Sequence, residues 1–172
     1  MFEHLKDKKH IMVTGIPRSG TRICARIIAN DTGHQYIDET ELRNTTDYKL
    51  TNVAKLKFYI KYFPNLVIQS PQLSYCCHEI DDLFVVWLKR DVEEIKASMS
   101  RIKMEEHTIL NELANYGEEF GDRDLLIETK LKIWETQKSV LKDNFLEVEY
   151  NDLKPHPLFL GHRNNFVWCQ TK

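Results

Sequence analysis

Residues 13–28 read VTGIPRSGTRICARII. The apolar run from Ile11 to Thr14 predicts a first strand, entered from the polar stretch HLKDKKH. That strand runs into Gly15, and a helix is expected from Gly20 through Ile28 to a stop at Gly33. A strand, a Gly-containing loop and a helix form the layout that turns backbone N–H groups toward a phosphate, because the first N–H groups of a helix have no partner within it. Gly15-x-x-x-x-Gly20 has the spacing of a P-loop, but the next two residues break the nucleotide-kinase pattern. Thr21 stands where that pattern needs Lys, and Arg22 where it needs the Ser/Thr that holds magnesium. The cation comes earlier, at Arg18.

Outward from this segment, short apolar runs alternate with amphipathic stretches, as in an α/β layered domain. A helix is predicted from about Thr51, with Val53, Leu56, Ile60 and Phe63 on one face and Lys55, Lys57 and Lys61 off it. A strand follows at Leu66 to Gln69, ended by Pro71. Leu83 to Leu88 (LFVVWL) is the strongest strand, a continuous apolar run of the kind buried on both faces of a parallel sheet. Asp91 then reads as an N-cap, with Glu94 completing a capping box. Val92, Ile95, Met99 and Ile102 give the helix its buried stripe. A polar helical region breaks near Gly117 to Gly121. Ile127, Leu131, Trp134 and Leu141 mark the next buried face, Phe145 to Val148 a last strand, and the tail from Lys154 reads as irregular. The expectation is one domain over residues 1–172: α/β, a three-layer P-loop-type fold with a mostly parallel central sheet flanked by helices.

The loop Pro17-Arg18-Ser19-Gly20-Thr21-Arg22 resembles the first motif of the sulfotransferases that use 3′-phosphoadenosine-5′-phosphosulfate (PAPS), Pro-(Lys/Arg)-Ser-Gly-Thr-Thr, at five of six positions. The resemblance implies that Arg18, Ser19, Gly20, Thr21 and Arg22 wrap the 5′ phosphosulfate, with Arg18 at the bridging oxygen. Arg22 departs from the motif and gives up a hydroxyl while keeping its backbone N–H. A second motif of the family, a strand ending in Arg with Ser eight residues on, is matched by Arg90 and Ser98; both are implied to hold the 3′-phosphate. ATP has no such phosphate, so this pair separates the two cofactors.

The spacing is similar to that of the tyrosylprotein branch, which takes the acceptor's proton with a Glu after the first helix. Asp38-Glu39-Thr40 falls at that offset, making Glu39 the candidate general base beside its neighbours Asp38 and Glu41. The same residues also read as a solvated acidic run. His34 and His78 are rival bases, His34 reading as an exposed turn residue. Gln69-Ser70-Pro71 stands where many relatives carry Lys-x-Pro, without the cation. Tyr150-Asn151-Asp152-Leu153 resembles the family's structural Tyr-Glu-Asp-Leu. The segment that closes over the cofactor in the family shrinks here to GHRNNFVW, with Arg163 its one candidate.

The resemblance therefore implies sulfuryl transfer from PAPS to a hydroxyl or amine, catalysed by Glu39 and Arg18 without a metal. The competing readings are a small-molecule kinase with a divergent P-loop and a non-catalytic nucleotide-binding protein of the same fold. The acceptor stays open among small molecule, glycan and peptide, with Leu42 to Lys49 and Met104 to Asp122 as the loops expected to meet it.

Composition bounds these readings. The 172 residues are 42% hydrophobic with a formal net charge of −2, which excludes intrinsic disorder and argues against a nucleic-acid binder. Lys and Arg outnumber Asp and Glu 16 to 13 in residues 1–103 but trail 8 to 13 in residues 104–172, so an anionic ligand is expected in the first part. Cys24, Cys76, Cys77 and Cys169 have no zinc spacing. No apolar run reaches the ~18 residues of a membrane span, and the charged start MFEHLKDKKH makes a cytoplasmic protein the default expectation. Oligomeric state is not legible.

Overall fold

Side chains of a strand alternate between faces, and in β4 (Leu83–Lys89) both faces are covered: its first six residues are all buried. Phe84, Val86 and Leu88 join one apolar cluster, while Leu83, Val85 and Trp87 join another on the opposite side. The central strand β1 (His10–Gly15) divides likewise, with Ile11 and Val13 on one face and Met12 on the other. In this computed structural model, residues 1–42, 53–104 and 106–160 are described.

Among the described residues five strands form one sheet in the order β2-β3-β1-β4-β5, where β2 is Gln35–Ile37, β3 Leu66–Gln69 and β5 Phe145–Glu149. All four pairings are parallel, so the sheet expected to be mostly parallel is entirely so. Helix α1 (Thr21–Thr32) packs on one face through Ile23, Cys24, Ile27 and Ile28. The other face carries α3 (Val53–Tyr62), α4 (Val92–Arg101) and α6 (Arg123–Leu141) through Leu56, Ile95, Met99, Ile127 and Trp134. The Trp134 ring stacks on Trp87, centroids 4.7 Å apart and planes 6° from parallel. Two short elements complete the order, α2 (Glu39–Leu42) and α5 (Glu106–Ala114).

The local signals were largely sound. Gly33 ends α1 in the left-handed region, φ 75°, and its N–H caps the Ala29 carbonyl. Asp91 accepts from the Glu94 N–H at 2.9 Å, but the Glu94 carboxylate turns to Arg90 (2.9 Å) instead of closing the box. Asp122 caps α6 after the expected break.

Several expectations need correction. Strand β2 and helix α2 went unrecognised because each is too short to show a period. Phe63 lies beyond the end of α3 and is exposed, and Ile102 lies beyond the end of α4 and is 49% exposed. Leu131 is also exposed; the buried stripe of α6 runs through Ile127, Lys130, Trp134, Gln137 and Leu141, with two polar members. His34 is buried, its ring nitrogens near the Lys8 (2.8 Å) and Thr32 (3.4 Å) carbonyls. The tail is helical over 157–160, and Phe159 packs against Tyr150. The predicted helix start at Thr51, most of the Leu42 to Lys49 loop, Arg163 and Cys169 lie outside the described residues.

The register fixes where chemistry can sit. Gly15 pairs with Leu88 and Val13 with Gln69, so the carboxyl ends of β3, β1 and β4 lie side by side. Loops leaving such ends line the crevice where open α/β sheets bind ligands.

Candidate functional site

A cleft of about 520 Å³ opens at those strand ends. Arg18, Gly20, Thr21, Arg22, Glu39, Arg90 and Ser98 all line it. Ser19 is fully buried beneath the loop. A second cavity of about 520 Å³ lies near α4 and α6, lined by Lys96, Ser100, Arg123 and Asp124 among others. It holds none of these residues, and its charges face one another, as Lys96 Nζ does Asp124 at 2.8 Å. The first cleft is the candidate site.

The β1–α1 loop is built for close approach. A Cβ on Gly15 would lie 2.8 Å from the Leu88 carbonyl oxygen, and one on Gly20 (φ 104°) would lie 2.6 Å from the Tyr150 ring. Arg18 adopts the left-handed conformation, φ 72°, which non-glycine residues rarely take. The Ser19 N–H closes a turn onto the Ile16 carbonyl at 3.0 Å. Gly20, Thr21 and Arg22 stand at the start of α1, where N–H groups lack intrahelical partners. The buried Ser19 Oγ has no partner among the described residues. Free N–H donors at the start of a helix suit an oxyanion, while the Ser19 hydroxyl is turned away beneath the loop, toward Gly15.

Charge points the same way. Arg18 Nε makes a long contact, 3.4 Å, to Ser98 Oγ on α4, and among the described residues its side chain meets no carboxylate. Desolvation holds its pKa below the ordinary guanidinium value, and the like charges of Arg22, Arg90 and Arg101 lower it further. Arg22 and Arg90 have carboxylate partners in Asp38 and Glu94, whereas Arg18 has none among the described residues, and a bound anion would stabilise it. Arg90 leaves the end of β4 and donates from Nη1 to the Arg18 carbonyl at 3.1 Å. Its guanidinium stacks 4.3 Å from the Tyr150 ring centroid and pairs with Glu94. Arg18 thus touches Ser98 through its side chain and Arg90 through its backbone carbonyl, and all three line the cleft.

The carboxylates divide clearly. Asp38 accepts from Arg22 Nε (2.8 Å) and Nη2 (3.3 Å), from the Tyr36 hydroxyl (2.8 Å) and from the Thr40 N–H (3.1 Å). Burial alone would raise its pKa, but the Thr40 N–H, the Tyr36 hydroxyl and Arg22 outweigh that and lower it. A carboxylate so fully engaged is a poor proton acceptor. Glu39 opens α2 and lines the cleft, whereas Glu41 is exposed. Neither His34 nor His78 lines it.

Some site members escaped the sequence. Tyr150, read as structural, covers Gly20 and stacks on Arg90. Gln69 occupies the place of the missing cation and donates to Thr21 Oγ1 at 3.0 Å. Lys103 and Glu112 also line the cleft. Arg90 and Tyr150 sit at the ends of neighbouring parallel strands, a signal available once both strands had been recognised.

No family model and no curated protein matches the chain. Among solved structures it is similar to a gluconokinase from Sinorhizobium meliloti 1021, with a TM-score of 0.52 at 15% sequence identity, covering 96% of this chain and 98% of that one. The fold is α/β, three-layered and of the P-loop type. Among the described residues no helix is long and apolar enough to cross a membrane, and no group of three His, Cys, Asp or Glu could hold a metal ion.

Proposed function

We propose that the chain transfers a sulfuryl group from PAPS to an acceptor hydroxyl or amine in this cleft. The observation that carries the reading is Arg18: a loop cation with no carboxylate partner among the described residues, held between Ser98 and Arg90. The loop N–H groups and Arg18 suit the phosphosulfate end, and Arg90 and Ser98 suit the 3′-phosphate; Ser19, expected to join them, is buried beneath the loop and does not line the cleft. PAPS supplies the sulfuryl group and leaves as 3′,5′-ADP.

Catalysis on this reading is positioning and charge stabilisation, as in phosphoryl transfer. Glu39 takes the acceptor's proton while the acceptor's oxygen or nitrogen bonds to sulfur and the bond from sulfur to the leaving phosphate breaks. Arg18 and the N–H groups of Gly20, Thr21 and Arg22 steady the charge that gathers on that phosphate.

The second reading is a small-molecule kinase. The likeness to a gluconokinase over nearly the full length of both chains favours it, and favours it over sulfuryl transfer. The side chains favour the first reading. Thr21, in the place of the P-loop Lys, has its hydroxyl bonded to Gln69, and Arg22, in the place of the magnesium-holding hydroxyl, is clipped to Asp38. A third reading, a binding protein without turnover, predicts nucleotide binding alone.

Labelled PAPS and magnesium-ATP offered against one panel of hydroxyl and amine acceptors separate the three. Label transferred from PAPS, with turnover reduced about 10²–10⁴-fold in Glu39→Gln, supports the first. Label transferred from ATP alone replaces it with the second.

A further inference from the structure

Helix α3 carries an exposed face that nothing covers among the described residues. Its buried side is narrow: Leu56 is buried, with Val53, Tyr59 and Ile60 packed partly against the core. Residues four apart on a helix lie above one another, so Lys57 and Lys61 form one row and Phe58 and Tyr62 a second row beside it. All four are exposed, Phe58 by 53% and Tyr62 by 58%. The two rings touch, centroids 4.7 Å apart, and Lys61 Nζ lies 5.2 Å over the Tyr62 ring. Phe63, just past the helix, is exposed as well.

Charge and shape narrow what this face can meet. Residues 53–78 contain no Asp or Glu, although the chain as a whole has a net charge of −2. Among the described residues neither Lys57 nor Lys61 makes an ion pair. A second copy of the chain would bring these lysines against their own kind. A helix face ~15 Å long and ~10 Å wide also falls far short of the ~800 Å² that each side of a stable protein complex buries. The rings of Phe58 and Tyr62 close on one another, leaving no slot between them for a base to stack in. Aromatic rings beside lysines do suit the headgroup layer of an anionic membrane, where rings enter the acyl boundary and ammonium groups meet acidic lipids.

The face is also well placed. The Phe63 carbonyl lies 3.2 Å from Nε2 of His10, the first residue of β1, so this end of α3 sits at the amino ends of the strands. The cleft opens at their carboxyl ends, and a surface against Lys61 and Tyr62 leaves it open.

We propose that the exposed face of α3 docks the protein reversibly on an anionic lipid surface, with Phe58 and Tyr62 entering the interface and Lys57 and Lys61 meeting acidic headgroups. The proposal goes beyond the group-transfer reading and does not depend on it.

The test sediments the full chain in low salt with phosphatidylcholine vesicles, with and without phosphatidylserine as a minor component. Binding is expected with the mixed vesicles alone. A lysine at such a surface contributes about fivefold, so Lys57→Gln with Lys61→Gln is expected to weaken binding roughly 25-fold. Phe58→Ser with Tyr62→Ser keeps the charge and is expected to lose about tenfold. The four side chains are exposed, and thermal melting checks that both variants fold; either folded variant decides without the other. No sedimentation with the mixed vesicles, equal sedimentation with phosphatidylcholine alone, or full binding retained in a folded variant would overturn the proposal. Single-stranded oligonucleotide and polyglutamate, offered as competitors, read the other anionic partners. Either one bound more tightly than the mixed vesicles would overturn it as well.

Discussion

Arg22 and Asp38 meet fork to fork, with Nε to Oδ2 at 2.8 Å and Nη2 to Oδ1 at 3.3 Å. This clip ties the first turn of α1 to the residue that precedes Glu39. Residue 22 thus carries a guanidinium that holds Asp38, the neighbour of Glu39. The Arg22 side chain is 51% exposed, so the pair is worth no more than about 1 kcal/mol of stability. Its weight falls on geometry.

Asp38→Asn keeps the shape and removes the charge. The melting temperature is expected to stay near that of the parent while kcat falls about tenfold, equivalent to about 1.4 kcal/mol in the barrier, with 3′,5′-ADP affinity unchanged. Steady-state kinetics beside calorimetry check this. A drop in nucleotide affinity equal to the drop in kcat would place the clip on the cofactor instead.

Arg18 holds its left-handed backbone at a cost of about 1–3 kcal/mol, a strain that glycine would not suffer. Arg18→Gly should therefore leave stability equal or higher and lower kcat/KM by about 10²–10³, the usual loss for one donor to a developing oxyanion. Denaturant unfolding and kinetics on one preparation read both. A stability loss with activity intact would make Arg18 a structural residue only.

Asp31 sits away from the cleft and makes part of the fold's stability depend on acid pH. Burial would raise its pKa, but the Phe2 N–H (2.9 Å), the terminal ammonium (3.0 Å) and His156 Nε2 (3.1 Å) lie against it, and its pKa falls to about 2. An unfolded Asp titrates near 3.9, so the stabilisation is complete above that value and drains away as pH falls toward 2. The shift corresponds to roughly 2 kcal/mol at neutral pH. Asp31→Asn should lose that amount in urea unfolding at pH 7 and differ little from the parent near pH 2. An equal deficit at both pH values would contradict the assignment.

The parts of the fold legible in sequence were those with a strong local signal: LFVVWL as a strand covered on both faces, Gly33 as a stop, Asp91 as a cap. The corner between β1 and α1 was legible because Gly15, Arg18 and Gly20 lie within six residues. What stayed hidden depends on contacts distant in the chain. Lys130 and Gln137 broke the apolar stripe of α6, so the pattern drew the eye to Leu131, although burial follows the helical spacing whatever the residue type. Lys130 can be buried only because Glu112, Ser74, Tyr116 and the Pro71 carbonyl surround it. Tyr150 read as structural because nothing local ties it to Gly20, 130 positions earlier.

The central claim is that Arg90 and Ser98 read a nucleotide with a 3′-phosphate. Calorimetric titration with 3′,5′-ADP, beside ADP and ATP with and without magnesium, tests it directly. The account predicts metal-independent preference for 3′,5′-ADP that disappears in Arg90→Ala. Tight magnesium-dependent ATP binding, with no preference for the 3′-phosphate, would contradict it.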